Sequence, residues 1–117
     1  MPTYSREELV RQVLLRLGAV DANEAPEAED ATDVGRAAQS KLEELHVDGI
    51  LPFDIDGEIP ARYLLHLSYI IAEPLIADYG AFARETSIVA RAARGMRAIY
   101  RMNATTYQGA VVPSEYY

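Results

Sequence analysis

Apolar residues recur at helical spacing in four separate runs of this chain. Residues that start and stop helices punctuate the runs, which commits the chain to packing helix on helix. The first run puts Leu9, Val10, Val13, Leu14 and Leu17 on one face and predicts a helix over residues 6–17. Ser5 caps its first turn, Glu8 reaches back to the Ser5 amide from three residues on, and Gly18 supplies the left-handed residue that closes it. The second run predicts a helix over residues 31–47, with Asp30 or Thr32 as cap and Gly49 as stop. Its apolar stripe is narrow: Val34, Ala37, Ala38, Leu42 and Leu45. Residues 19–30 between the two are acidic, contain Pro26 and lack apolar periodicity, so they read as a solvated loop.

Residues 50–59 mix apolar side chains with Pro52, Asp56 and Gly57, which suits either a loop pinned by Phe53 or a short hairpin arm turning at Asp56 and Gly57. Pro60 fits the first position of a third helix, where its missing amide proton is not needed. Tyr63, Leu64, Leu65, Leu67, Ile70 and Ile71 nearly encircle that helix, as expected for the centre of a bundle, and leave Arg62, His66, Tyr69 and Glu73 as a polar stripe. Pro74 must bend or divide the helix, because its ring removes a donor and crowds the preceding turn. The fourth helix is expected over residues 81–102, with Ile88, Val89, Ala92, Ala93, Met96, Ile99 and Tyr100 on one side. Arg94, Arg97 and Arg101 lie on the other. The expected fold is all-α: a bundle of about four helices in residues 1–103, a loop or short hairpin arm between helices 2 and 3, and an extended C-terminal tail over residues 104–117.

A chain of 117 residues suits one domain with one modest core. The absence of cysteine excludes disulfides, thiolate zinc sites and cysteine nucleophiles together. The longest apolar stretch, around Tyr69 to Ile76, is broken by Glu73 and Pro74 and falls short of the ~20 residues of a spanning helix, so no membrane partner is expected. The first residues have no basic start followed by an apolar run, so no secretory signal is expected.

The net charge of −7 argues against tight, sequence-blind DNA binding, which depends on Lys and Arg displacing counterions. The charge is also divided along the chain. Acids dominate residues 21–58 against Arg36 and Lys41, whereas Arg84, Arg91, Arg94, Arg97 and Arg101 face Glu85 alone. The arginine stripe reads as a solvated face, as a phosphate-binding face, or as half of a contact between copies. In the last reading Glu43, Glu44 and Asp48 of one subunit meet Arg94, Arg97 and Arg101 of the next, the unlike-patch arrangement that closes rings.

Little else suggests chemistry. Glu43 and His46 have the i, i+3 spacing of carboxylate di-metal bundles, but His66 has Tyr63 where the second glutamate belongs. His46 then reads as a helix-end histidine near the last-turn carbonyls, and no metal or cofactor is expected. No serine sits in a Gly-x-Ser-x-Gly elbow, no Gly-rich phosphate loop occurs, and solvated carboxylates are poor proton-transfer groups near neutral pH, so no enzyme is expected. The tail is unusual in holding Tyr107, Val111, Val112, Pro113, Tyr116 and Tyr117, because disordered ends are usually poor in aromatic and β-branched residues. It reads as a segment folded over its own bundle, as a disordered end, or as an anchor peptide that seats aromatic side chains in a partner.

Two motifs, in order, carry a family resemblance: Glu8-Leu-Val-Arg-Gln-Val-Leu-Leu-Arg-Leu-Gly18, of the form E-L-V-R-x-x-L-x-x-L-G, and Leu42-Glu-Glu-Leu-His-Val-Asp-Gly-Ile50, of the form L-E-x-L-x-x-D-G-I. With the acidic linker between them, two further helices and the tail, the chain resembles the head-to-tail adaptor family of tailed phages, also called connectors or tail accessory factors. The resemblance implies a virion protein of the neck, assembled in the host cytoplasm as an α-helical ring, usually a dodecamer, docked on the portal protein. It further implies that residues 104–117 grip the portal, that the ring extends the DNA channel and receives tail or neck proteins, and that DNA is passing cargo. Acidic side chains toward such a channel would repel phosphates and let the duplex slide. The alternative from another class is a small helix-turn-helix regulator that sets its arginine stripe on DNA phosphates.

Overall fold

The computed structural model describes residues 2–110, with side chains through Asn103. In chain order the elements are β1 (Thr3–Tyr4), α1 (Arg6–Leu17), α2 (Ala28–Val47), β2 (Ile59–Pro60), α3 (Ala61–Ala72) and α4 (Glu85–Ala110), with 3₁₀ turns at Glu73–Leu75 and Phe82–Arg84. The fold is all-α, four helices with a two-stranded ladder.

α1 has the expected ends, although the Glu8 carboxylate accepts from Arg11 at 3.1 Å and Gln12 at 2.8 Å rather than from the Ser5 amide. Ser5 is its N-cap, the Glu8 amide donates to Ser5 Oγ at 3.2 Å, and Gly18 adopts φ 75° as its cap. The Ala19 amide then reaches back to the Leu14 carbonyl at 2.9 Å, which completes the Schellman-type closure. α2 starts at Ala28, earlier than expected, with Glu27 as an N-cap that makes no side-chain bond and with Glu29 and Asp30 in the first turn. Acids at that position are favoured by the helix dipole, so part of the acidic linker is helix rather than loop. Its C-terminal end turns at Gly49, whose φ of 76° favours glycine.

The segment after α2 forms no hairpin of its own. Ile59 and Pro60 instead pair antiparallel with Tyr4 and Thr3, and the Ala61 amide donates to the Pro2 carbonyl at 3.1 Å. Pro60 is the N-cap of α3. α3 packs against α1, α2 and α4, and Tyr63, Leu67, Ser68, Ile70, Ile71 and Ala72 are buried, so it is the central helix that its near-continuous apolar surface predicted. Pro74 divides the helix: α3 stops at Ala72 and a 3₁₀ turn carries the chain round to Gly80. α4 starts after a second 3₁₀ turn and runs past the expected end at Met102, to Ala110. Residues 104–110 are therefore helical. The side chain of Tyr107, and all of Val111, Val112, Pro113, Tyr116 and Tyr117, lie outside the described residues.

One core joins the elements: Leu9, Val13, Leu14, Val34, Leu42, Ile59, Leu67, Ile71, Ile88 and Ile99 are among its fully buried residues. Each buried Leu or Ile contributes about 1.5–3 kcal/mol of transfer free energy. α1 and α2 run antiparallel, with Arg6 at the start of α1 donating to Gln39 Oε1 of α2 at 2.6 Å and to the Ile55 carbonyl. α4 is tied at two points, just before its start by Arg84 to the Leu15 carbonyl at 3.4 Å and within it by Asn103 to the Gly49 carbonyl at 3.1 Å. The bundle therefore has two ends, one with Gly18 and the start of α4, the other with Gly49 and Asn103.

Candidate interaction surfaces

α4 presents four different sides, and each has a distinct chemical character. The side toward α3 buries Ile88, Ala92 and Ile99, with Gly95 at the closest approach. A Cβ at Gly95 would lie 3.2 Å from the His66 Cβ and 3.3 Å from both the His66 Cα and carbonyl oxygen, so the absent side chain is what lets the two helices meet. His66, held there, titrates below the usual histidine range, first because burial disfavours its charged form and second because of the Arg101 guanidinium.

The second side is apolar and open. Val89 and Tyr100 are exposed, as is Phe82 in the turn before the helix, although Val89 and Tyr100 share the predicted apolar stripe with Ile88 and Ile99. Val89, Ala93, Met96 and Phe82 form one wall of a groove of about 680 Å³ whose other wall includes Lys41, Glu44 and Leu45 of α2, with Ile70 and Pro74 at its base. Half of the apolar face of α4 is thus not used by the core.

The third side carries Arg94, Arg97 and Arg101, all exposed. Their expected counterparts on α2, Glu43, Glu44 and Asp48, are exposed as well. Within one copy Glu44 pairs with Lys41 at 3.3 Å and Glu43 accepts from Gln39 Nε2 at 2.6 Å. Asp48 is the C-cap of α2, where the negative end of the helix dipole disfavours a carboxylate.

The fourth side carries Ser87 and Arg91 at i and i+4, with Arg84 in the turn just before the helix, and faces α1 and α3. Here the side chains converge on Tyr69. The Arg16 guanidinium lies 5.0 Å and that of Arg91 5.5 Å from the centre of the Tyr69 ring, distances at which the ring quadrupole attracts a cation. Arg91 also donates to Tyr69 Oη at 3.3 Å. Arg16 is positioned by Gln12 Oε1 at 2.7 Å and by the buried Ser68 Oγ at 3.3 Å. Leu15, Arg16, Tyr69, Arg84, Ser87 and Ile88 line a cavity of about 120 Å³. Arg84 and Arg91 were visible in the sequence only as members of an arginine-rich block, and Arg16 and Tyr69 were not singled out as a site. Their meeting depends on α3 lying between α1 and α4, which no local pattern announces.

At the acidic end of α2, Tyr79 titrates above the usual phenol range, mainly through burial, then through the Asp30 and Asp33 charges, a hydrogen bond to Asp30, and Asp78. Among the described residues no group of three or more His, Cys, Asp or Glu side chains could hold a metal ion, and no helix is long and apolar enough to cross a membrane. Comparison of the chain with protein-family models, with curated proteins and with solved structures gives no match.

Proposed function

We propose that the protein is a head-to-tail adaptor of a tailed phage, a virion protein that assembles as a ring on the portal, extends the DNA channel and receives the tail. The observation that carries this reading is the open apolar side of α4, where Phe82 and Val89 are exposed at a groove shared with α2 and Tyr100 is exposed farther along the helix. Contiguous apolar surface of this kind on a small helical protein marks a contact with another protein. The division of charge between acidic α2 and basic α4, and the two sequence motifs ending in Gly18 and Gly49, support the same assignment. On this reading Tyr107, Val111, Val112, Pro113, Tyr116 and Tyr117 are the portal anchor, while the −7 net charge keeps passing DNA from adhering.

The test is the mass of the complex formed with the portal protein encoded in the same genome, for the full chain and for chains ending at Ala110 and at Asn103. The expected result is a ring-sized mass increase with the full chain that disappears on truncation. No association of any form would overturn the assignment. Salt-dependent binding of the full chain to random duplex DNA would favour the helix-turn-helix regulator instead.

A further inference from the structure

Three guanidinium groups gather on this side of the bundle: Arg16 of α1 and Arg84 of the second 3₁₀ turn line the cavity with Tyr69 and Ser87, and Arg91 of α4 lies beside it over the Tyr69 ring. Arg16 and Arg91 are both within 5.5 Å of one ring centre, which puts them within about a Debye length of each other at 0.1 M salt, close enough to repel. No carboxylate lines the cavity, and among the described residues none of the three forms an ion pair. Their hydrogen bonds go to neutral acceptors: Gln12 and Ser68 for Arg16, the Leu15 carbonyl for Arg84, and Tyr69 for Arg91. Glu85, the nearest acid in sequence, lines the groove on a different side of α4. The cavity of about 120 Å³ has room for an oxyanion beside the fork-shaped donors of Arg16 and Arg84.

We propose that this pocket receives a carboxylate from the opposite end of a second copy of the chain, that of Asp48, with Glu44 one turn before it on the same side of α2. The cavity lies where the end of α1 meets the start of α4, whereas Asp48 closes α2 at the far end, next to Gly49 and Asn103. The contact is accordingly heterologous: each copy offers a cationic pocket at one end and carboxylates at the other, and copies join head to tail. Asp48 also gains from a cationic partner, because it sits against the carbonyl end of α2, where a lone carboxylate is disfavoured. A second copy is favoured over a nucleic acid because the chain carries a net charge of −7, which repels a polyanion but leaves carboxylates to offer to the pocket. The contact concerns two copies of this chain without the portal, so its failure leaves the portal measurement unaffected.

The experiment is sedimentation velocity of the full chain across a concentration series, at about 20 mM and about 300 mM salt, two conditions that differ strongly in charge screening. Association at low salt that weakens at high salt is the expected behaviour. R84Q/R91Q and E44Q/D48N should each associate about tenfold or more weakly, since each deletes charge-assisted hydrogen bonds. Helicity checked by circular dichroism separates that loss from misfolding. Mixing the two variants provides the decisive arm: the intact carboxylates of the first fit the intact pocket of the second, so the mixture should recover complexes of two chains and go no further. Overturning results are a wild-type chain that stays monomeric at low salt, association indifferent to both double variants, or a mixture that recovers nothing. Binding of duplex DNA that R84Q/R91Q abolishes, without self-association, would assign the pocket to phosphates and also overturn the proposal.

Discussion

Tyr63 is 1% exposed and stacks at 4.9 Å on Phe53, yet its Oη has no hydrogen-bond partner among the described residues. A buried hydroxyl without a partner loses its water bonds for nothing, so Tyr63→Phe should raise stability by about 1 kcal/mol in urea unfolding. Two glycines in helix interiors should answer alanine in opposite ways. Gly35 has open space where a Cβ would go, and Gly35→Ala should stabilise by up to about 1 kcal/mol through helix propensity. At Gly95 the same gain is opposed by overlap with the His66 backbone, which only a shift of α3 relieves, and overpacking of that kind costs about 1–3 kcal/mol. Gly95→Ala should therefore lower the melting temperature while Gly35→Ala raises it. His66 itself titrates below its ordinary value in the folded state, so the unfolded chain binds the proton more readily. Its contribution to stability is complete above the unfolded value near 6.5 and is lost as pH falls toward the lower folded value. Unfolding free energies of the wild type and His66→Gln should diverge over that interval, the variant having the flatter profile.

At the scale of elements, the legible parts were those whose ends are set by local chemistry. α1 begins and ends where Ser5 and Gly18 required, because a capping bond and a left-handed glycine act within a few residues. Ser5→Ala should cost about 1 kcal/mol, read from chemical denaturation, through loss of that cap. Pro74 divided the chain as its missing donor demands, and α3 became the central helix. Less legible were starts without a side-chain cap, such as Glu27 before α2, and the partner of β2, which lies in residues far away in sequence. The candidate site was hidden for the same reason. An arginine-rich α4 is evident from spacing, but its separation into an exposed side and a side that shares Tyr69 with Arg16 follows from where α1 and α3 pack.

For the whole molecule, the arrangement of charge matters more than its sum. Acidic α2 and the arginines of α4 belong to one core, and the apolar side of α4 remains open between them. A protein built this way changes its state of assembly with salt more readily than its fold, because the core is apolar and the exposed charges are screened. Thermal unfolding of the chain, at concentrations low enough to keep it monomeric, should consequently shift little between about 20 and 300 mM salt.

The ladder between β1 and β2 is two residues long, yet it ties the first residues of the chain to the entrance of α3. So short a clasp can release while every helix stays wound, since it involves few bonds and little buried surface. Amide hydrogen exchange should register this as two populations. The Ala61 amide, bonded to the Pro2 carbonyl, should exchange by local opening, whereas amides in the middle of α1 and α3, such as those of Leu14 and Ile71, should wait for global unfolding.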